Sequence, residues 1–190
     1  MKRAYIIHGW GGYPNEAWFP WLKQKLEKQG FKVSVPKMPN TDEPKIEVWV
    51  PFLKNLVKTP DEETYLIGHS IGCQTILRYL ESLPENTKIN KAVLVAGFVH
   101  LTEKVTKNQE EKDIAKPWLE TPINFKKINS HVNKITAIFS NNDPYVPLSD
   151  SKIFKEKLNA EIIILNNKGH IGSDDNVKEL PEALNAVLKN

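Results

Sequence analysis

Hydrophobic positions along this chain fall into two alternating textures. Short, nearly unbroken apolar runs recur at 4–7, 32–35, 64–67, 91–96, 135–139 and 161–165. A strand covered on both faces reads this way, because neither set of alternating side chains can stay polar. The stretches between them carry helical spacing. Trp18, Leu22 and Leu26 fall at i, i+4 and i+8 and stop before Gly30. Ile76, Leu77, Tyr79, Leu80 and Leu83 form an apolar face ending at Pro84, Phe154 and Leu158 begin another, and Ala183, Val187 and Leu188 a last one. Strand–helix alternation of this kind predicts an α/β fold, a parallel sheet with helices on both faces.

Two segments depart from the alternation. Residues 45–57 are amphipathic but contain Pro51, which predicts a kink or a broken helix. Residues 99–134 hold no clear strand, are locally charged and carry Pro117-Trp118, which makes them the candidate lid or cap. No repeat, low-complexity tract or linker divides the chain, so 1–190 is expected to form a single domain. Apolar residues at 40% suffice for a core and exclude wholesale disorder. No apolar run approaches the roughly 20 residues of a spanning helix. The first run stops at Ile7, short of a signal peptide's roughly 7–15-residue apolar segment. A soluble, cytoplasmic protein without a membrane partner is expected.

Charge changes the picture little. The net +3 comes from lysines interleaved with acids, as in Glu103-Lys104 and Glu110-Glu111-Lys112-Asp113, so no nucleic-acid partner is expected. The single cysteine, Cys73, excludes an internal disulfide and any multi-cysteine metal site. Its place after a strand predicts a small buried apolar residue rather than a redox thiol. His100 and His131 have no visible partners and read as surface residues. No helix face reads as a dimer seam, and a monomer is expected.

Ligands of an open parallel sheet bind beyond the carboxyl ends of its strands, and four of the six runs end in chemistry there. The first is followed by His8-Gly9-Trp10-Gly11-Gly12, the third by Gly68-His69-Ser70-Ile71-Gly72, the fifth by Asn142-Asp143-Pro144 and the sixth by Gly169-His170. Gly68 to Gly72 fit G-x-S-x-G between a strand and a helix. Such a turn exposes the Ser70 hydroxyl and aims the Ile71 N–H at a developing oxyanion. The same five residues are also compatible with a plain helix start capped by Ser70. Serine needs a base, and the base an orienting acid. His170 and Asp143 supply them, in the order nucleophile, acid, base of α/β-hydrolases. Asp150 lies too far past its strand to compete, and Asp174 and Asp175 follow the histidine. The Trp10 N–H, among glycines, is the candidate second oxyanion donor. Pro14 spoils a dinucleotide fingerprint beginning at Gly9, and no phosphate-binding G-x-x-x-x-G-K-[ST] exists. His8, His69, His170 and Asp143 could instead surround a metal, but that leaves the serine turn unexplained. No metal and no cofactor are expected.

With these residues in place, the chain resembles the compact serine hydrolases typified by retinoblastoma-binding protein 9 and bacterial YdeN, over essentially its whole length. Besides the candidate triad, the likeness rests on Tyr5-Ile6-Ile7-His8-Gly9, Trp18-Phe19-Pro20-Trp21-Leu22, Met38-Pro39-Asn40, residues 65–73 and Ile76-Leu77-Arg78. The resemblance implies a reduced α/β-hydrolase fold of six parallel strands in the order 2-1-3-4-5-6. It also implies Ser70 as nucleophile, Asp143 as acid and His170 as base. The pocket-protein motif L-x-C-x-E suggested by the family name is absent, since Ile71-Gly72-Cys73-Gln74-Thr75 lacks its leucine and glutamate. The expected activity is hydrolysis of a small-acyl carboxylic ester, with His8, Gly9, Gly11, His69, Trp18 and Trp118 as candidate pocket residues. The alternatives are a non-catalytic protein-binding module on the same scaffold, and an acyltransferase using the same three residues.

Overall fold

The computed structural model describes residues 1–105 and 108–189; residues 106 and 107 of the 99–134 excursion, and residue 190, lie outside the described residues. Six strands form one sheet: β1 (Arg3–Ile7), β2 (Lys32–Ser34), β3 (Thr64–His69), β4 (Ile89–Val95), β5 (Val132–Ser140) and β6 (Glu161–Leu165). Their order is β2-β1-β3-β4-β5-β6 and every pairing is parallel. This is the topology the resemblance implies.

The unbroken apolar runs have their physical reason in two cores, one on each face. Ala4, Ile6, Tyr65, Ile67, Val93 and Val95 turn to one side, and Leu66, Ala92, Leu94, Ala137 and Phe139 to the other. Helices α1 (Phe19–Glu27) and α7 (Pro181–Leu188) cover the first core. Helices α2 (Ile46–Val57), α3 (Ile71–Glu81), α4 (Gln109–Glu120), α5 (Phe125–Ser130) and α6 (Asp150–Leu158) contribute to the second.

Pro51 does not break its helix. α2 runs through it, and Trp49, Leu53 and Val57 are buried at i, i+4 and i+8. A proline inside a helix costs about 3 kcal/mol, whereas burying three large apolar side chains contributes roughly 1.5–3 kcal/mol each. Packing wins.

The excursion between β4 and β5 carries α4 and α5, and it ends earlier than the charge pattern implied, because β5 already begins at Val132. Asn108 and Asn124 start its helices by accepting from the Glu111 and Lys127 N–H groups. α4 is fastened down at its carboxyl end. The buried Arg78 guanidinium on α3 donates to the carbonyls of Trp118 (3.1 Å) and Thr121 (3.0 Å), where a helix's partial negative charge welcomes a cation. The Trp118 Nε1–H donates to the Pro44 carbonyl at 2.8 Å, tying α4 to the approach of α2. Among the described residues no helix is long and apolar enough to cross a membrane.

Two histidines read as unpartnered surface groups are bound. His131 is buried and its Nδ1 lies 2.7 Å from the Thr87 carbonyl. His100 is exposed, but its Nδ1 meets Asp150 Oδ1 at 2.7 Å. Asp150 is fully buried, and its other oxygen accepts from the Val99 and His100 N–H groups. That carboxylate anchors the start of the excursion to α6. No local pattern announces such a contact, since it joins residues 50 apart.

Candidate active site

The turn from β3 into α3 is strained at one residue. Ser70 has φ 52° and ψ −121°, a conformation that L residues occupy at a cost of order 1–3 kcal/mol. Its surroundings hold it there. The Ser70 N–H donates to the Val95 carbonyl at 2.9 Å, which pins the turn to β4. A Cβ on Gly72 would lie 2.3 Å from the Ile7 carbonyl oxygen, and one on Gly68 2.8 Å from the Cys73 nitrogen. The turn therefore sits directly on the chain around it. Ser70 makes no side-chain cap to α3, so the plain helix-cap reading does not describe it. Cys73 is wholly buried, donates to the Val95 carbonyl, and has its thiol pKa pushed up by burial. It is the inert apolar residue expected.

His170 follows β6 in the loop facing this turn. Its Nδ1 lies 2.8 Å from Asp143 Oδ2, which makes Nδ1 the protonated nitrogen opposite a carboxylate and leaves Nε2 with a lone pair. Asp143 is itself held, since its Oδ1 accepts from the Tyr145 (2.8 Å) and Val146 (3.0 Å) N–H groups. The loops that carry the pair are stitched together by Asn142, whose Oδ1 accepts from the Gly169 N–H, and by Ser140, whose hydroxyl accepts from the Lys168 N–H. The Tyr145 ring stands edge-on to His170 at 5.1 Å. No Ser70–His170 hydrogen bond forms in this resting geometry among the described residues, but both side chains line the same two cavities.

Those cavities differ in character. A narrow one of about 50 Å³ is lined, besides Ser70 and His170, mostly by apolar and aromatic side chains, among them Phe98, Leu101, Val105, Ala115 and Trp118. A wider groove of about 320 Å³ runs past Gly9, Glu16, His69, Gly172 and residues 173–175. The Ile71 N–H opens α3 and so has no intrahelical acceptor. The Trp10 N–H likewise has no backbone acceptor among the described residues. Gly9 and His69 border the wide groove and Trp118 the narrow cavity.

Three candidate pocket residues do other work. Trp18 is fully buried, packs edge-on against Phe19 and donates from Nε1 to the Ile171 carbonyl at 3.0 Å. Gly11 is exposed and its N–H donates to the Thr41 carbonyl. His8 is buried, with Nδ1 donating to the Gly9 carbonyl and Nε2 accepting from the Met38 N–H. Phe98, Leu101, Val105, Ala115 and Tyr145 line the narrow cavity without having been singled out by the sequence; the excursion brings Leu101, Val105 and Ala115 there, and the loop after β5 brings Tyr145.

Electrostatics bear on the two histidines weighed as metal ligands. Burial, and then the neighbouring His170, push the His69 pKa down to about 3, and burial lowers that of His8. Both are neutral in ordinary buffers and committed to hydrogen bonds. Among the described residues no group of three or more histidine, cysteine or acidic side chains is arranged to hold a metal ion. An unfolded His69 takes up a proton near pH 6.5 while the folded one does not until about pH 3. Stability due to this residue is therefore complete above pH 6.5 and falls as pH drops, at about 1.4 kcal/mol per unit. Urea unfolding at pH 7.5, 5.5 and 4.5 should show His69→Gln with a shallower acid loss than the wild type. Parallel slopes would contradict this.

Residues 4–189 match the family model described as serine hydrolase. The hydrolase YdeN of Bacillus subtilis (strain 168) is 32% identical over 180 residues, spanning 95% of this chain and 91% of YdeN. The serine hydrolase RBBP9 of Rattus norvegicus is 25% identical over 171 residues, spanning 88% of this chain and 86% of the rat protein. The crystal structure of the ydeN gene product superposes with a TM-score of 0.89 at 30% identity, covering 98% of this chain and 97% of that one.

Proposed function

The chain belongs to the serine hydrolase family, and from that premise we propose that it hydrolyses short-chain carboxylic esters through an acyl-enzyme on Ser70. One observation carries the reading: a half-buried serine strained into a tight turn borders the same cavities as a histidine whose far nitrogen is held by a buried carboxylate. In this reading Ser70 Oγ attacks the ester carbonyl as His170 Nε2 takes its proton. Asp143 keeps the proton on Nδ1 and stabilises the imidazolium. The Trp10 and Ile71 N–H groups donate to the carbonyl oxygen as negative charge develops on it. His170 then protonates the departing alkoxide, leaving the acyl group on Ser70. A water attacks that ester, giving its proton to the same nitrogen, and Ser70 departs with the proton restored.

The narrow apolar cavity is the place for the acyl chain, and the wide polar groove for the alcohol part. At about 50 Å³ the cavity takes a few carbons. Across p-nitrophenyl esters, kcat/KM is expected to peak at or below butyrate and to fall for chains beyond C8. Leu101→Ala trims one half-buried wall and should raise the hexanoate-to-butyrate ratio about tenfold, the usual worth of a methylene or two in an apolar pocket. An unchanged ratio would mean that acyl chains go elsewhere.

The direct test is intact mass after incubation with a fluorophosphonate, beside Ser70→Ala. A single adduct, absent from the variant, is expected. No adduct at neutral or mildly alkaline pH would favour a binding module on a hydrolase scaffold. Added alcohols or amines that divert the acyl group would instead favour an acyltransferase.

A further inference from the structure

The loop that carries His170 has an awkward backbone. Ile171 has φ 58°, a left-handed conformation that β-branched residues adopt only under constraint, and Gly169 has φ 54°. Such a backbone persists only where its surroundings over-determine it. Four contacts do so. Asp175 Oδ2 accepts from the His170 N–H at 2.8 Å and from the Gly172 N–H at 3.3 Å. The neutral His69 ring donates from Nε2 to the His170 carbonyl at 2.9 Å. Trp18 donates to the Ile171 carbonyl, whose side chain is fully buried. The fit against Asp175 is close, since a Cβ on Gly169 would overlap its Oδ1.

Both peptide groups of the candidate base are thus gripped by side chains from different parts of the chain. His69 acts from the serine turn and Asp175 from the far side of the loop. Asp143 holds the ring itself. Asp175 makes no contact with the ring, so a role in the reaction has to be exerted through the backbone.

We propose that Asp175 is a positioning residue for the reaction, its carboxylate holding the strained His170 loop so that His170 stays on the cavities Ser70 borders and Nε2 can take the Ser70 proton when substrate is bound. The proposal rests on the hydrolase reading above. It makes a chemical distinction. Only one carboxylate oxygen is used, and it accepts both N–H groups, so an asparagine whose oxygen takes that place preserves the grip. An alanine does not.

The experiment compares the wild type, Asp175→Ala and Asp175→Asn on p-nitrophenyl acetate, together with amide hydrogen exchange at residues 170–172 and thermal unfolding. For Asp175→Ala, kcat is expected to fall about tenfold or more with KM within twofold, the loss expected for a hydrogen bond to a charged group. Exchange at His170 and Gly172 should quicken while the unfolding midpoint falls by no more than a few degrees. Asp175→Asn should recover most of the kcat and the protection. Wild-type kcat or unchanged exchange in Asp175→Ala would overturn the proposal, as would an asparagine variant as slow as the alanine one. A wild type that neither turns over ester nor takes up fluorophosphonate would instead overturn the hydrolase reading, whatever the exchange shows.

Discussion

Asp143→Asn is expected to lower kcat on a short-chain ester by about 10⁴-fold while leaving the fold intact. The size follows from the loss of the correct tautomer in a serine–histidine–acid arrangement. Here the geometry makes the substitution unusually clean. Asp143 Oδ1 accepts from the Tyr145 and Val146 N–H groups, and an asparagine oxygen placed there keeps both bonds. The amide NH₂ then occupies the position of Oδ2 and faces His170 Nδ1. That nitrogen has to accept, the ring proton moves to Nε2, and Nε2 can no longer take the Ser70 proton. Steady-state rates and circular dichroism on the same preparation check this. A loss below tenfold with an unaltered spectrum would remove Asp143 from the mechanism.

The largest structural effect is expected at Gly72. Its added Cβ in Gly72→Ala would meet the Ile7 and His8 carbonyl oxygens at 2.3 and 2.7 Å. Both are backbone atoms, and β1 is held in register on both sides, with Ile7 opposite Gly68 of β3. No flexible side chain is available to yield, so α3 has to shift away from β1. A cost of about 3 kcal/mol in urea unfolding is expected, at the upper end for overpacking of a core. Ester turnover should fall as well, because the Ile71 N–H moves with the start of α3. A variant within about 0.5 kcal/mol of wild type would mean that the turn is far more pliable than its contacts indicate.

Much of this architecture is legible in the sequence. The six apolar runs mark the six strands because a parallel sheet buried on both faces tolerates no polar alternation, and their order of appearance alternates with helices. Gly68 and Gly72 were legible for a related reason. A strand that turns at once into a helix leaves no room for a Cβ where the two cross. The failures have a common origin too. Pro51 alone predicts a kink or a break, and it is the break that the buried stripe of Trp49, Leu53 and Val57 prevents. Trp18 reads both as part of the apolar face of α1 and as a pocket candidate; the buried core reading holds, and its indole serves the backbone of Ile171, 153 positions away. His100 and His131 looked free because their partners, Asp150 and the Thr87 carbonyl, are distant in sequence.

By itself, then, the sequence determined what repeats at short range: the strand and helix periods, the glycines of the serine turn, and the residue types at the ends of the strands. Those follow from sterics and solvation within a few residues. Tertiary structure decided which loops meet. It brought Asp143 to His170, closed α4 over Ser70 to leave a narrow cavity, and set His69 and Asp175 on the two peptide groups that flank His170. Hydrogen bonds between loops depend on angles and distances that no periodicity encodes, because each loop's conformation is selected by the partners it finds after the sheet has formed.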